Sequence, residues 1–255
     1  MANNPGGWML TLLMTRPRAA AERFVARLAP DLRDRLRVIY APLLDIVVLP
    51  DPVSLDGVRG VIFTSANGVA AGVVAGVHPA LPARTLPAYC VGDATAEAAR
   101  RAGWTVNDCF ETADALVAAL GDRCPQGPLL HLRGVHARGD IAERLTAAGI
   151  KTRAQALYDQ RLVALSDAAH RALRGDDPVI VPLFSPRTAR QFADAARGPA
   201  PLYLAAISEA AAEPLVNMTH SALIVADRPD GAAMAAAVER LSDQASRVEG
   251  PRTAQ

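Results

Sequence analysis

Leu10-Thr-Leu-Leu-Met-Thr15 is a short apolar run that ends on a polar residue, and a helical pattern follows it from about residue 18 to residue 29. Apolar runs at 60–63, 88–91, 128–132, 179–183, 202–205 and 222–226 repeat the theme. Each is followed by an amphipathic segment, such as Ile141-Ala-Glu-Arg-Leu145 or residues 234–241. Strands buried on both faces read as continuous apolar runs, and their alternation with helices predicts a parallel sheet covered on each side. The fold class is α/β.

A weak internal repeat divides the chain. Leu12-Leu-Met-Thr-Arg16 returns as Leu129-Leu-His-Leu-Arg133, and Phe63-Thr-Ser65 returns as Leu183-Phe-Ser185. Gly92-Asp-Ala-Thr-Ala96 has a decayed echo in Ser208-Glu-Ala-Ala-Ala212, and Asp114 before one helix answers Asp230 before another. Residues 39–49 and 155–165 are extended in character, with Tyr40 answering Tyr158. The reading is two similar α/β domains joined by a two-stranded ladder. One domain is discontinuous, 1–38 plus 167–255; the other is inserted at 54–154; segments 39–53 and 155–166 form the ladder. A strand inside either sheet would give the same pattern in those segments.

Composition narrows the function. The chain has 255 residues, 51% of them hydrophobic, and 27 basic residues stand against 26 acidic ones. Near-neutral charge excludes a basic nucleic-acid-binding surface, and the apolar half excludes disorder. A single lysine, Lys151, stands beside 26 arginines, which leaves little for Schiff-base chemistry and suits forked recognition of carboxylates. A genomic preference for arginine codons accounts for the same bias, as the 52 alanines suggest. Cys90, Cys109 and Cys124 form no paired motif, a pattern of reducing compartments. The amino terminus lacks a basic signal-peptide start. The uncharged stretch 66–83 is broken by Gly72, Gly76, His78 and Pro79, so it is no membrane span. The expected setting is cytoplasmic, with no membrane and no nucleic-acid partner.

The usual nucleotide fingerprints, the Gly-x-Ser-x-Gly elbow and zinc spacings are all missing. His131 lies inside an apolar run and is expected to be a satisfied core residue. Polar groups instead cluster where strands end: Thr15-Arg16-Pro17, Thr64-Ser65-Ala-Asn67-Gly68, Gly92-Asp93-Ala-Thr95, Arg133-Gly134 and Ser185-Pro186-Arg187. Taken singly, each Ser, Thr or Asp is explained as a helix N-cap. Taken together, they fit an anionic ligand held outside the carboxyl ends of parallel strands.

The order Thr15-Arg-Pro17, Phe63-Thr-Ser-Ala-Asn-Gly68, Val91-Gly-Asp-Ala-Thr-Ala96, Leu132-Arg-Gly134, Leu157-Tyr-Asp159 and Phe184-Ser-Pro186 resembles the uroporphyrinogen-III synthase family, from Leu12 to Leu241. The resemblance implies two domains with the active site in the cleft between them. It implies a linear tetrapyrrole substrate, hydroxymethylbilane, that carries an acetate and a propionate on every ring. The product implied is uroporphyrinogen III, formed without a cofactor. Loss of the ring A hydroxyl gives an azafulvene cation; ring D attacks through its substituted carbon, and the spiro intermediate fragments and recloses with ring D inverted. Tyr158 matches the family's candidate proton donor; its other reading is a packed ladder residue. Thr64, Ser65, Thr95 and Ser185 match carboxylate-binding positions, Ser208 sits at another, and Arg16 and Arg133 could add charge. The chain departs from the family at Ala206-Ile-Ser-Glu-Ala-Ala211, where glycine and threonines are more usual. Backbone donation there survives the change, whereas a hydroxyl contact from Ala210 or Ala211 does not. The family also suggests a monomer in transient contact with the preceding enzyme. A non-catalytic two-domain clamp and a nucleotide-sugar glycosyltransferase are the alternatives from other classes.

Overall fold

A computed structural model describes residues 9–81, 84–137 and 139–249. The amino-terminal segment 1–8 and the tail residues 250–255 lie outside the described residues. The chain forms two compact units, 1–45 with 162–255, and 46–161.

The first unit begins with β1 (Leu10–Met14), α1 (Arg18–Val25), a short α2 (Pro30–Arg33) and β2 (Leu36–Tyr40). From β3 (Leu44–Val48) the chain enters the second unit: β4 (Gly60–Phe63), α3 (Ala66–Val74), the small hairpin β5 (Ala80–Leu81) and β6 (Arg84–Thr85), and β7 (Pro87–Val91). Next come α4 (Asp93–Arg101), β8 (Thr105–Phe110), α5 (Ala113–Arg123), β9 (Leu129–Gly134), α6 (Ile141–Ala147) and β10 (Thr152–Leu162). The first unit is completed by α7 (Asp167–Arg174), β11 (Val179–Leu183), α8 (Pro186–Ala195) and β12 (Leu202–Ala206). Its last elements are α9 (Glu209–Ala212), β13 (Ala222–Val225) and α10 (Gly231–Glu249).

Both large sheets are dominated by parallel pairs, as the continuous apolar runs require. The first is ordered β13-β12-β11-β1-β2 and the second β3-β10-β9-β4-β7-β8. Apart from β3 the two orders are the same, with β9, β10, β4, β7 and β8 standing where β1, β2, β11, β12 and β13 stand. Each repeat therefore begins with two strands that pair with the last three strands of the other repeat. The repeat seen in the sequence is tandem, while the sheets are made by exchange. On the far edge of the second sheet β3 lies beside β10, with the Leu49 N–H donating to the Leu157 carbonyl at 2.8 Å.

Successive side chains of a strand face opposite ways, so a strand buried along its whole length needs a cover on each side. In the first unit Leu13, Val179, Val181 and Leu204 pack under Phe192 of α8, while Leu12, Ile180 and Tyr203 pack under Phe24 and Val238. In the second unit Phe63, Leu130 and Leu132 meet Val69 and Trp104, while Ile62 and Leu129 meet Leu116 and Leu145. Phe63 and Trp104 touch edge to face at 5.3 Å. Fully burying one such aromatic or branched side chain contributes about 1.5–3 kcal/mol. Edge strand β8 is not buried in this way, its side chains alternating between exposed and half-buried, and the other edge strands β2, β3 and β13 are likewise mostly half-buried.

Candidate active site

The carboxyl ends of the parallel strands carry most of the residues singled out in the sequence. In the second unit Thr64 and Ser65 follow β4, and Ser65 is the N-cap of α3, its Oγ accepting from the Asn67 N–H at 3.1 Å. The Thr64 hydroxyl lies 3.4 Å from Nε2 of His131, which is buried in β9 between β10 and β4. Burial, with a smaller push from Arg133, lowers the His131 pKa to about 4, so the imidazole is neutral at physiological pH.

Arg133 is half-buried at the end of β9 and donates to the carbonyls of Gly134 (3.1 Å) and Val135 (3.2 Å). No carboxylate pairs with it among the described residues. Its guanidinium is thereby aimed by its own strand, with charge left for an anion. Thr95 lies in the first turn of α4 and is buried, its N–H donating to the Gly92 carbonyl at 3.0 Å. Gly92, at φ +82°, makes the turn from β7 into that helix, in a backbone region that side chains disfavour.

Tyr158 is brought to Ser65 by an irregularity in β10. Pairing with β9 runs regularly from Thr152 opposite Leu129 to Ala156 opposite Arg133, then skips a residue to place Tyr158 opposite Gly134. This β-bulge at Leu157 breaks the alternation. As a result Leu157 and Tyr158, adjacent in sequence, are both buried. Burial raises the Tyr158 pKa above its usual value, and the neighbouring Ser65 hydroxyl offsets this in part. The group therefore keeps its proton at neutral pH.

In the first unit Arg16 follows β1, with its guanidinium carbon 4.1 Å over the ring of Phe184, which meets Phe24 edge-on at 5.0 Å. Burial lowers the Arg16 pKa, and Arg23 and Arg27 add to this through like charge. No carboxylate pairs with Arg16 among the described residues. Stacking on a ring leaves the in-plane N–H groups of a guanidinium free for a bidentate anion. Ser185, next to Phe184, caps α8, its Oγ accepting from the Thr188 N–H at 3.2 Å and lying 2.8 Å from the Thr188 hydroxyl. Ser208 occupies the N-cap position of the short α9, and its side chain makes no capping bond.

The structure thus gathers Thr64, Ser65, Arg133 and Tyr158 in one unit, and Arg16 with Ser185 in the other. Ser65 and Ser185 are N-caps, as the simpler reading of each had it. The sequence reading missed the Phe184 platform and the bulge; the apolar pair Leu157-Tyr158 within a polar, alternating strand was the available signal for the bulge. Among the described residues no three His, Cys, Asp or Glu side chains gather as a metal site. No helix among them is long and apolar enough to cross a membrane.

A family model described as "Uroporphyrinogen-III synthase HemD" matches residues 27–236. The crystal structure of uroporphyrinogen-III synthetase from Helicobacter pylori 26695 is 18% identical, with 91% of this chain and 100% of that chain covered at a TM-score of 0.63. A uroporphyrinogen III synthase from Thermus thermophilus is 16% identical, with 92% and 100% covered at a TM-score of 0.41. A search of curated proteins finds no match. The fold is that of the Helicobacter enzyme, and the family match leaves the clamp and glycosyltransferase readings without support.

Proposed function

The chain belongs to the uroporphyrinogen-III synthase family, lyases of tetrapyrrole biosynthesis, and from that premise we propose how its residues close hydroxymethylbilane into uroporphyrinogen III. The substrate's acetates and propionates are met by groups at the carboxyl ends of parallel strands. Arg16 and Arg133 supply charge; the helix termini at Ser65, Thr95, Ser185 and Ser208 supply N–H groups, and Thr64 a hydroxyl. A flexible bilane held at many points is confined to one folded shape, and that confinement carries much of the rate. Orientation matters doubly here, because the unaided reaction closes the ring to the uninverted isomer.

Tyr158 donates its proton to the ring A hydroxyl, which leaves as water and creates the azafulvene cation. Ring D attacks through its substituted carbon, and the spiro intermediate opens and recloses with ring D inverted. The proton released when ring D regains aromaticity balances the one that Tyr158 gave. The observation that carries this reading is the phenol of Tyr158, buried opposite Gly134 at the carboxyl end of the second sheet. The phenol is protonated at pH 7, as any tyrosine is; burial raises its pKa and makes it a weaker acid, and general acid catalysis is typically worth about 10²–10⁴-fold. The protein acts as a cytoplasmic monomer, receiving its self-cyclising substrate in brief contact with the enzyme that makes it.

Tyr158→Phe tests the assignment. The ring and its packing stay while the proton is lost, so kcat for isomer III falls about 100-fold or more with KM little changed. Full activity in Tyr158→Phe would leave the tyrosine a packing residue.

A further inference from the structure

Gly134 has no backbone reason to be glycine. It is the last residue of β9, still paired with Tyr158 of β10, and its φ is outside the left-handed region that favours the residue. A glycine inside a strand weakens it, since there is no side chain to pack and more chain entropy to lose. What the position does require is empty space. A Cβ placed on Gly134 would lie 2.8 Å from Cζ, 2.9 Å from Cε2 and 3.1 Å from the hydroxyl oxygen of Tyr158. Carbon atoms in contact sit at about 3.5–4.0 Å, so one methyl would displace the phenol end of the ring by roughly 0.7 Å or more.

The open side of the ring is at Gly68, which has no side chain and where even an added Cβ would stand 3.8 Å from Cε1, so a methyl on Gly134 would push the phenol that way. Phe63, Leu132 and Leu157 share its core cluster, and the bulge at Leu157 holds Tyr158 opposite Gly134. We infer that Gly134 is a positioning residue, whose missing side chain fixes where the Tyr158 hydroxyl is held. The inference rests on the reading of Tyr158 as the proton donor, and the experiment separates the two.

Turnover to isomer III and melting temperature are measured for wild type, Gly134→Ala, Tyr158→Phe and the double variant. A misplacement near 1 Å can cost about 100-fold in rate, so Gly134→Ala is expected to lose about that much kcat. In the Tyr158→Phe background the methyl has no hydroxyl left to misplace, and Gly134→Ala then leaves kcat unchanged while still lowering the melting temperature. A merely structural glycine would lower kcat by the same factor in both backgrounds, which overturns the inference. Tyr158→Phe slow and Gly134→Ala as fast as wild type overturns the inference alone; Tyr158→Phe fully active overturns the proton-donor reading and the inference with it. If Gly134→Ala does not fold, Tyr158→Ala supplies the room. The variant carrying both alanines then folds with the kcat of Tyr158→Ala, and a further fall in kcat would show that the glycine serves something other than the tyrosine.

Discussion

Mild acid should destabilise the protein through one imidazole. His131 is 1% exposed in the middle of the second sheet, and its folded pKa is about 4, against an ordinary value of about 6.5. Between those values the unfolded chain binds a proton that the folded chain refuses, so the free energy of unfolding falls as pH falls through this window. The full effect is about 2.5 pKa units at 1.36 kcal/mol each, or about 3 kcal/mol, reached near pH 4. At pH 5 about 2 kcal/mol of it is already lost, a large share of the 5–15 kcal/mol that holds a domain together. The assay is urea unfolding of wild type and His131→Gln at several pH values from 7.5 to 5. Carboxylates elsewhere titrate in both proteins and cancel in the difference. Wild type is expected to lose about 2 kcal/mol more than the variant over that range. Parallel curves would refute the reasoning, showing that the imidazole protonates in the fold at no cost.

Arg16→Gln removes the guanidinium stacked on Phe184 and is expected to raise KM for the bilane about 10-fold or more, since a hydrogen bond to a charged group is worth about 1.5–3 kcal/mol; steady-state kinetics check this. Ser185→Ala loses the α8 cap and is expected to cost about 1 kcal/mol in urea unfolding. Gly198→Ala is far more damaging, because its Cβ would fall 1.8 Å from the Leu173 carbonyl oxygen at a φ of +148°; a melting temperature near that of wild type would contradict the local backbone. Cys90 is buried, with a pKa raised to about 12 mainly by burial, whereas Cys109 and Cys124 are exposed. A thiol reagent at pH 8 should therefore modify two sulfurs in the folded protein and the third only on unfolding.

The parallel α/β class was legible because strands such as Val179–Leu183 are apolar at every position, which only a doubly covered sheet demands. β8 was not, because Thr-Val-Asn-Asp-Cys-Phe at the sheet edge is neither a continuous apolar run nor a strict alternation, with Asp108 on the half-buried side and Cys109 exposed. The repeat was legible in Leu12–Arg16 and Leu129–Arg133. Which strands pair across the repeats was not, since that choice is made by long-range packing rather than by local residues. At the candidate site, Ser65 and Ser185 could be placed at helix starts from their position after an apolar run. The burial of Tyr158 could not, because it depends on a register shift between β9 and β10, and a period-2 reading would put Tyr158 and Leu157 on opposite faces. The reach of Arg16 to Phe184 likewise depends on β1 pairing with β11, residues far apart in the chain.

The most direct measurement feeds freshly made hydroxymethylbilane to the purified protein and separates the oxidised products into uroporphyrin isomers I and III. The account predicts isomer III in excess over the control without protein, because only a held geometry inverts ring D. Isomer I alone, at the spontaneous rate, would contradict it.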